Sequence, residues 1–192
     1  ENETSNHRCI GLTVETRPDW FRMQHIDHCL RYGATRVELG VQTVFDDVLE
    51  QMNRGHTVSD TIFATRLAKE SGFKVCYHMM PGLLGSNEQK DIIAFKELFS
   101  NPVFQPDMLK IYPTLVVKNT PLYELWKEGT YNPLGTKEAV IRISKMLEYV
   151  PEYVRIQRIQ RDIPAQYIEC GVQKSNLRQL VDNYGLESNF SS

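Results

Sequence analysis

The stretch TRVELGVQT, residues 35–43, alternates with period two: Val37, Leu39 and Val41 fall on one face, and Arg36, Glu38, Gly40 and Gln42 fall on the other. Side chains of a strand point to opposite sides in turn, so one face here is apolar and the other polar and charged. A central strand of an open sheet covered by helices on both sides is instead apolar throughout. The split recurs along the chain. Gly11, Thr13 and Glu15 oppose Ile10, Leu12 and Val14; Lys74, Cys76 and His78 oppose Val75, Tyr77 and Met79; Lys110, Tyr112 and Thr114 oppose Leu109 and Ile111. One polar face per strand is the pattern of a barrel with helices outside and a polar interior. The charges on that face also have a plainer explanation, pairing with one another, as Glu38 and Lys110 would.

Outward from this stretch, strand-like runs at 9–14, 35–41, 73–79, 108–114 and 153–159 are separated by helical pattern. Pro18-Asp19 is expected to open a helix closed by Gly33, and Thr57 with Asp60 forms a capping-box pattern for one closed by Gly72. Ser86 with Gln89 starts another, Thr120-Pro121 opens a short one ended by Gly129, and Thr136 begins one that stops at Pro151. Strands alternating with helices at this spacing imply right-handed crossovers and a parallel sheet, so the class is α/β. The chain has 192 residues, fewer than the roughly 250 of a closed eight-stranded barrel. An incomplete (β/α) barrel is therefore expected over residues 1–164, with 165–192 starting a following segment as the rhythm fades. An unclosed barrel leaves a strand edge and apolar surface uncovered.

A formal net charge of -2 and a charged fraction of 24% exclude a globally basic nucleic-acid binder, so any such partner must meet a local patch. No apolar run reaches the roughly 20 residues of a membrane span, and ENETSNHRC at the N-terminus has no signal-peptide pattern. A cytoplasmic protein with no membrane partner is expected. Cys9, Cys29, Cys76 and Cys170 lie far apart without a CxxC pair, which argues against a zinc ribbon, a redox dithiol or a self-contained iron–sulfur motif. They are read as structural thiols, and no metal ligand set is assigned.

Parallel barrels build their sites at the carboxyl ends of the strands. The groups offered there are Glu15, Gln42, His78, Lys110 and Tyr112, each near a strand end on the face assigned inward. In GLTVETRPD, residues 11–19, Arg17 and Asp19 brace the turn that Pro18 shapes, with Asp19 where a helix N-terminus favours an acid. Arg54 and His56 flank Gly55 in a tight loop; they hold that loop or, alternatively, touch a phosphate.

ETRPD at 15–19, ELGVQT at 38–43, MNRGHT at 52–57, HMMPGL at 78–83, LKIYPTLVV at 109–117, LYELWKEG at 122–129 and QRDIP at 160–164, with GVQKSNLRQL near the end, together resemble the radical S-adenosylmethionine (SAM) domain of the Elongator catalytic subunit family. At HMMPGLLG, Leu84 stands where the family commonly has proline. The resemblance implies a tRNA wobble-uridine acetyltransferase that cleaves SAM at a [4Fe-4S] cluster to a 5'-deoxyadenosyl radical and uses acetyl-CoA as cosubstrate. It implies that Glu15, Gln42 and His78 contact SAM and that Lys110 and Tyr112 face acetyl-CoA or substrate, the alternatives being packing for His78 and an ion pair with Glu38 for Lys110. The three cysteines that hold the family's cluster, and the domain that binds most of acetyl-CoA, have no counterpart in the sequence. The resemblance therefore implies an internal part of the radical domain, inactive alone, whose partners are tRNA, other parts of its own polypeptide and, in a eukaryote, other Elongator subunits. Arg158, Arg161, Lys174 and Arg178 are solvated surface or, gathered on one face, contacts for tRNA phosphates. Two alternatives stay open: another radical SAM enzyme, of the methylthiotransferase or coproporphyrinogen oxidase type, and a noncatalytic interaction module.

Overall fold

A computed structural model describes residues 2–190. The elements follow in the order β1 (Leu12–Thr16), α1 (Met23–Arg31), β2 (Ala34–Gln42), α2 (Asp46–Gln51), α3 (Val58–Glu70), β3 (Lys74–Met79), α4 (Glu88–Ser100), β4 (Met108–Ile111), β5 (Val116–Val117), α5 (Pro121–Lys127), α6 (Thr136–Leu147), β6 (Arg155–Ile159), β7 (Ile168–Cys170) and α7 (Leu177–Phe190). β1, β2, β3, β4 and β6 form one sheet in that order, every pair parallel. β5 and β7 make a separate antiparallel pair. The fold is the expected α/β one, a partial (β/α) barrel whose sheet ends at β1 and β6 among the described residues.

The faces follow the alternation. Val37, Leu39, Val41, Val75, Tyr77, Met79, Leu109 and Ile111 are all nearly inaccessible, in one cluster with Ala64 and Leu67 of α3, Ala94, Phe95 and Leu98 of α4 and Ile143 and Met146 of α6. This helix-covered side is the core. Each fully buried Leu, Ile, Val or Phe contributes roughly 1.5 to 3 kcal/mol relative to exposure. Tyr77 tolerates complete burial because its hydroxyl meets Thr65 Oγ1 of α3.

Local signals located most elements and missed some boundaries. Thr57 caps α3 as expected, its hydroxyl accepting from Asp60 N while Thr57 N donates to the Asp60 carboxylate. Pro18-Asp19 does not open a long helix: Pro18–Trp20 is a single 3-10 turn, and α1 begins at Met23, where Arg22 N donates to His25 Nδ1 at 3.1 Å. Asn87, not Ser86, caps α4, because the Ser86 hydroxyl is turned inward to Asp91. Beyond residue 165 the chain packs back on the barrel: β7 pairs with β5, and Val172, Leu177 and Val181 belong to the main core. The change at 165 is thus one of rhythm, without a break in the core.

At the β1 end of the sheet Ile10 is 94% exposed and Tyr32 74%, with Trp20 and Met23 also largely open. A free parallel edge beside this apolar group matches the uncovered surface expected of an incomplete barrel.

Candidate functional site

The polar face carries the site. Glu38, Cys76 and His78 are buried side by side on β2 and β3, and Glu15 of β1 lies in register with Glu38. His78 Nε2 lies 2.7 Å from Glu38 Oε2, and the Lys110 ammonium of β4 donates to the same oxygen. The other ring nitrogen, Nδ1, lies 3.6 Å from Glu15 Oε1, and the Tyr112 ring meets the imidazole edge-on at 5.4 Å between centroids. Of the two readings of Lys110, the geometry displays the ion pair with Glu38. Burial acts to raise the Glu38 carboxyl, but Lys110 and His78 outweigh it and hold the carboxyl below its ordinary value. Lys110 loses some basicity to burial and regains more from Glu38, ending above the ordinary lysine value.

A pH dependence follows from that direction. A carboxylate depressed in the folded state stabilises above its unfolded pKa, and the contribution is lost as pH falls through the folded value. Between about pH 5 and 3, the melting temperature of the parent should therefore fall more steeply than that of Glu38→Gln. Parallel slopes in thermal melts would show that Glu38 carries no linked proton.

The carboxyl ends of the strands open into a cleft of about 750 Å³ lined by Glu15, Gln42, His78, Lys110 and Tyr112, together with Arg54. All five strand-end candidates thus face one space. Gly40 keeps one wall open: a Cβ there would stand 3.0 Å from Gln42 Nε2 and 3.6 Å from the Arg54 guanidinium. Gln42 itself has φ 69, and Thr43 N donates to Val41 O across it at 2.9 Å, a tight γ-turn at the strand end. A left-handed non-glycine residue of this kind costs on the order of 1 to 3 kcal/mol and persists where its surroundings over-determine it. His56 is one such support, its Nε2 lying 3.3 Å from Val41 O. That is the loop-holding role expected of His56.

Arg17 braces its turn as expected, pairing with Asp19 at 2.6 Å. Arg54 was expected either to hold its loop or to touch a phosphate, and its position bears on the second. It is half-buried in the cleft wall, its Nε has no hydrogen-bond partner, and burial and then the adjacent Arg17 charge lower its pKa from the arginine value. A cation placed that way suits an anionic ligand group. Its loop lies outside the strands, so no periodicity marked it; the adjoining glycine, with φ 73, was the available signal. Arg158 and Arg161 line the far wall, Arg158 paired with Asp162 at 2.8 Å. Lys174 lies elsewhere, beside α6 and α7.

The residues fit SAM and do not fit the cluster. Glu15 accepts, Gln42 donates and accepts, and Arg54 offers charge, the donor set that hydroxyl, ammonium and carboxylate groups require. Cys9 precedes β1, Cys29, Cys76 and Cys170 sit on α1, β3 and β7, and among the described residues no three thiols converge. Glu38, Cys76 and His78 do place ligand atoms within 4.8 Å of one another. Yet the Cys76 thiol is pushed up to about 12 by burial and then by Glu38, whose oxygen already serves Lys110 and His78. The Glu38 carboxylate is thus committed to Lys110 and His78, with the thiol beside it.

Residues 2–97 match the Radical SAM superfamily, and residues 106–185 match the Radical SAM C-terminal domain. The chain is 55% identical over 183 residues to a tRNA uridine(34) acetyltransferase of Methanocaldococcus jannaschii, covering 95% of this chain and 34% of that one. It is 48% identical over 180 residues to Elongator complex protein 3 of Homo sapiens, covering 94% and 33%. A solved structure of the archaeal Methanocaldococcus infernus Elp3 with an N-terminal deletion superposes with a TM-score of 0.94 at 52% identity, covering 98% of this chain and 44% of that one. The chain spans about a third of the length of the curated relatives it matches.

Proposed function

Because the chain belongs to the radical SAM superfamily, we propose that it forms the SAM-binding and substrate-facing wall of a tRNA wobble-uridine acetyltransferase of the Elongator catalytic type. The observation that carries this reading is the convergence of Glu15, Gln42, His78 and Lys110, from four adjacent strands, on one cleft. Radical SAM membership implies SAM with a [4Fe-4S] cluster, which supplies the radical when bound; acetyl-CoA as cosubstrate, tRNA as substrate and a cytoplasmic setting complete the proposal. Other subunits of an Elongator assembly are proposed as partners where the source has them.

In this reading Glu15 accepts hydrogen bonds from ribose hydroxyls or the ammonium of SAM, Gln42 bonds the same end, and Arg54 faces its carboxylate. Gly40 leaves the space between them. His78 closes the wall, with Glu38 holding its Nε2 and leaving Nδ1 toward Glu15 and the cleft. Lys110 and Tyr112 form the side toward acetyl-CoA or the uridine, Lys110 with its charge held by Glu38. Cluster ligation falls to cysteines outside this chain.

Anaerobic iron and sulfide reconstitution tests this division. The chain alone should retain no cluster and cleave no SAM, whereas the complete enzyme, joined to a cysteine-bearing segment, should do both and transfer acetyl groups to tRNA. Stoichiometric iron, sulfide and the associated absorption in the chain alone would overturn it.

A further inference from the structure

We infer that Asp91 and Arg142, a buried pair on the outer helices, are positioning residues that hold Gln42 in its ligand-binding conformation through the loop after β3. This rests on the cleft being the SAM site. Asp91 of α4 and Arg142 of α6 are 6% and 8% exposed, and Arg142 NH1 donates to Asp91 Oδ2 at 2.8 Å. Asp91 uses its remaining capacity on the loop: Gly82 N donates to Oδ2 at 2.9 Å, and the Ser86 hydroxyl donates to Oδ1 at 2.6 Å. From the other side the Tyr131 hydroxyl donates to Gly82 O at 2.7 Å. Gly82, at φ 79, has no room for a side chain, since a Cβ would meet Leu134 at 2.7 Å. The loop is thus gripped at one residue from three directions.

The grip reaches the site in two residues. Pro81 O is held by Thr114 N and Oγ1, and Met80 N donates to Gln42 O at 2.9 Å. Met80 also lines the cleft. Gln42 is the strained corner of the β2 end, and its carbonyl direction is set by that one bond from Met80. Asp91, Ala94 and Phe95 of α4 and Met146 of α6 pack around Gln42 and Thr43 from the helix side. An ion pair removed from the cleft by the sheet therefore over-determines a turn that would otherwise relax to an ordinary extended strand end. Burial raises the Asp91 carboxyl from its ordinary value despite three hydrogen bonds and the arginine, so the pair is held in place at a cost, as expected where the arrangement itself is needed.

The test is SAM affinity of the complete enzyme by equilibrium dialysis, in a double-mutant cycle with Gln42→Ala. Asp91→Asn should weaken SAM binding about tenfold in the parent and less than about twofold once Gln42 is alanine, while tRNA affinity stays unchanged. Hydrogen exchange at the Gly82 and Met80 amides should accelerate in the same variant. Arg142→Lys, which keeps a cation beside Asp91, should recover most of the affinity that Arg142→Met loses. Leu98→Ala on α4 serves as a stability-matched control and should leave SAM affinity intact. Equal losses from Asp91→Asn in both backgrounds, or a matching loss in Leu98→Ala, would overturn the inference. If Asp91→Asn fails to fold, Ser86→Ala removes one bond of the grip and is read by the same cycle. Unchanged SAM affinity in both Glu15→Gln and Arg54→Gln would instead remove the site itself, a result separate from any failure of the cycle.

Discussion

Lys110→Met should destabilise the domain by about 3 kcal/mol, toward the lower end of the roughly 3 to 5 kcal/mol seen when one partner of a buried ion pair is removed. The Glu38 side chain is only 5% exposed and its Oε2 takes the Lys110 ammonium, so the deletion strands a carboxylate. The loss is moderated because His78 Nε2 still lies 2.7 Å from the same oxygen and keeps one hydrogen-bond partner on it. Adding Glu38→Gln should restore most of the stability. Two outcomes for activity then separate the roles of Lys110. If it only neutralises Glu38, acetyl transfer to tRNA returns with stability in the double variant. If it also contacts cosubstrate or uridine, stability returns and activity does not. Chemical denaturation and single-turnover transfer, run on the same four proteins, decide it.

Loss of Glu15 or Arg54 should cost most at the binding step. A hydrogen bond to a charged group contributes about 1.5 to 3 kcal/mol, so Glu15→Gln and Arg54→Gln should each raise the SAM dissociation constant roughly 10- to 150-fold. Neither should lower the melting temperature much, because Glu15 is 65% exposed at its side chain and Arg54 has an unpartnered Nε. Leu39→Ala, on the apolar face it shares with Val41, should do the reverse. It opens a cavity in the core, costs about 2 to 5 kcal/mol of stability and leaves the affinity of the surviving folded protein unchanged. Calorimetric titration with SAM against thermal melting distinguishes the two classes. Unaltered affinity in both polar variants would detach the cleft from SAM.

The polar variants and Leu39→Ala act on opposite sides of one sheet, and for the strand residues that separation comes from the sequence. Period-two alternation at 35–43 assigned Val37, Leu39 and Val41 to the core and Glu38, Gly40 and Gln42 to the other side; all six are buried, but the first three belong to the helix-packed core, while Gly40 and Gln42 line the cleft and Glu38 pairs with Lys110. Alternation is a property of strand geometry alone, so it needs no knowledge of neighbours. The same holds for the cap at Thr57 and for the five groups at four strand ends, since parallel strands with helical crossovers bring their carboxyl ends to one side. Glu15, Gln42, His78, Lys110 and Tyr112 could therefore be named before their mutual distances were known.

Other features depend on partners distant in the chain, and local pattern has no access to those. Ser86 looked like a cap, but its hydroxyl donates to Asp91, a carboxylate held in place by Arg142 of α6, and Asn87 takes the cap position. For Arg54 the sequence offered a loop brace or a phosphate contact; only packing shows its Nε without a partner at a gap kept by Gly40. β5 and β7 were invisible because each is two or three residues long and is a strand only by pairing with the other across fifty residues. The balance at Glu38, where one oxygen serves a lysine from β4 and a histidine from β3, and the left-handed turn at Gln42, held by Met80, are likewise decisions of the assembled sheet. Sequence determined which faces and strand ends are polar, because side-chain direction is local; tertiary structure decided which of those groups neutralise one another and which remain free for a ligand, because charge pairing and strain depend on distances that only the packed sheet sets.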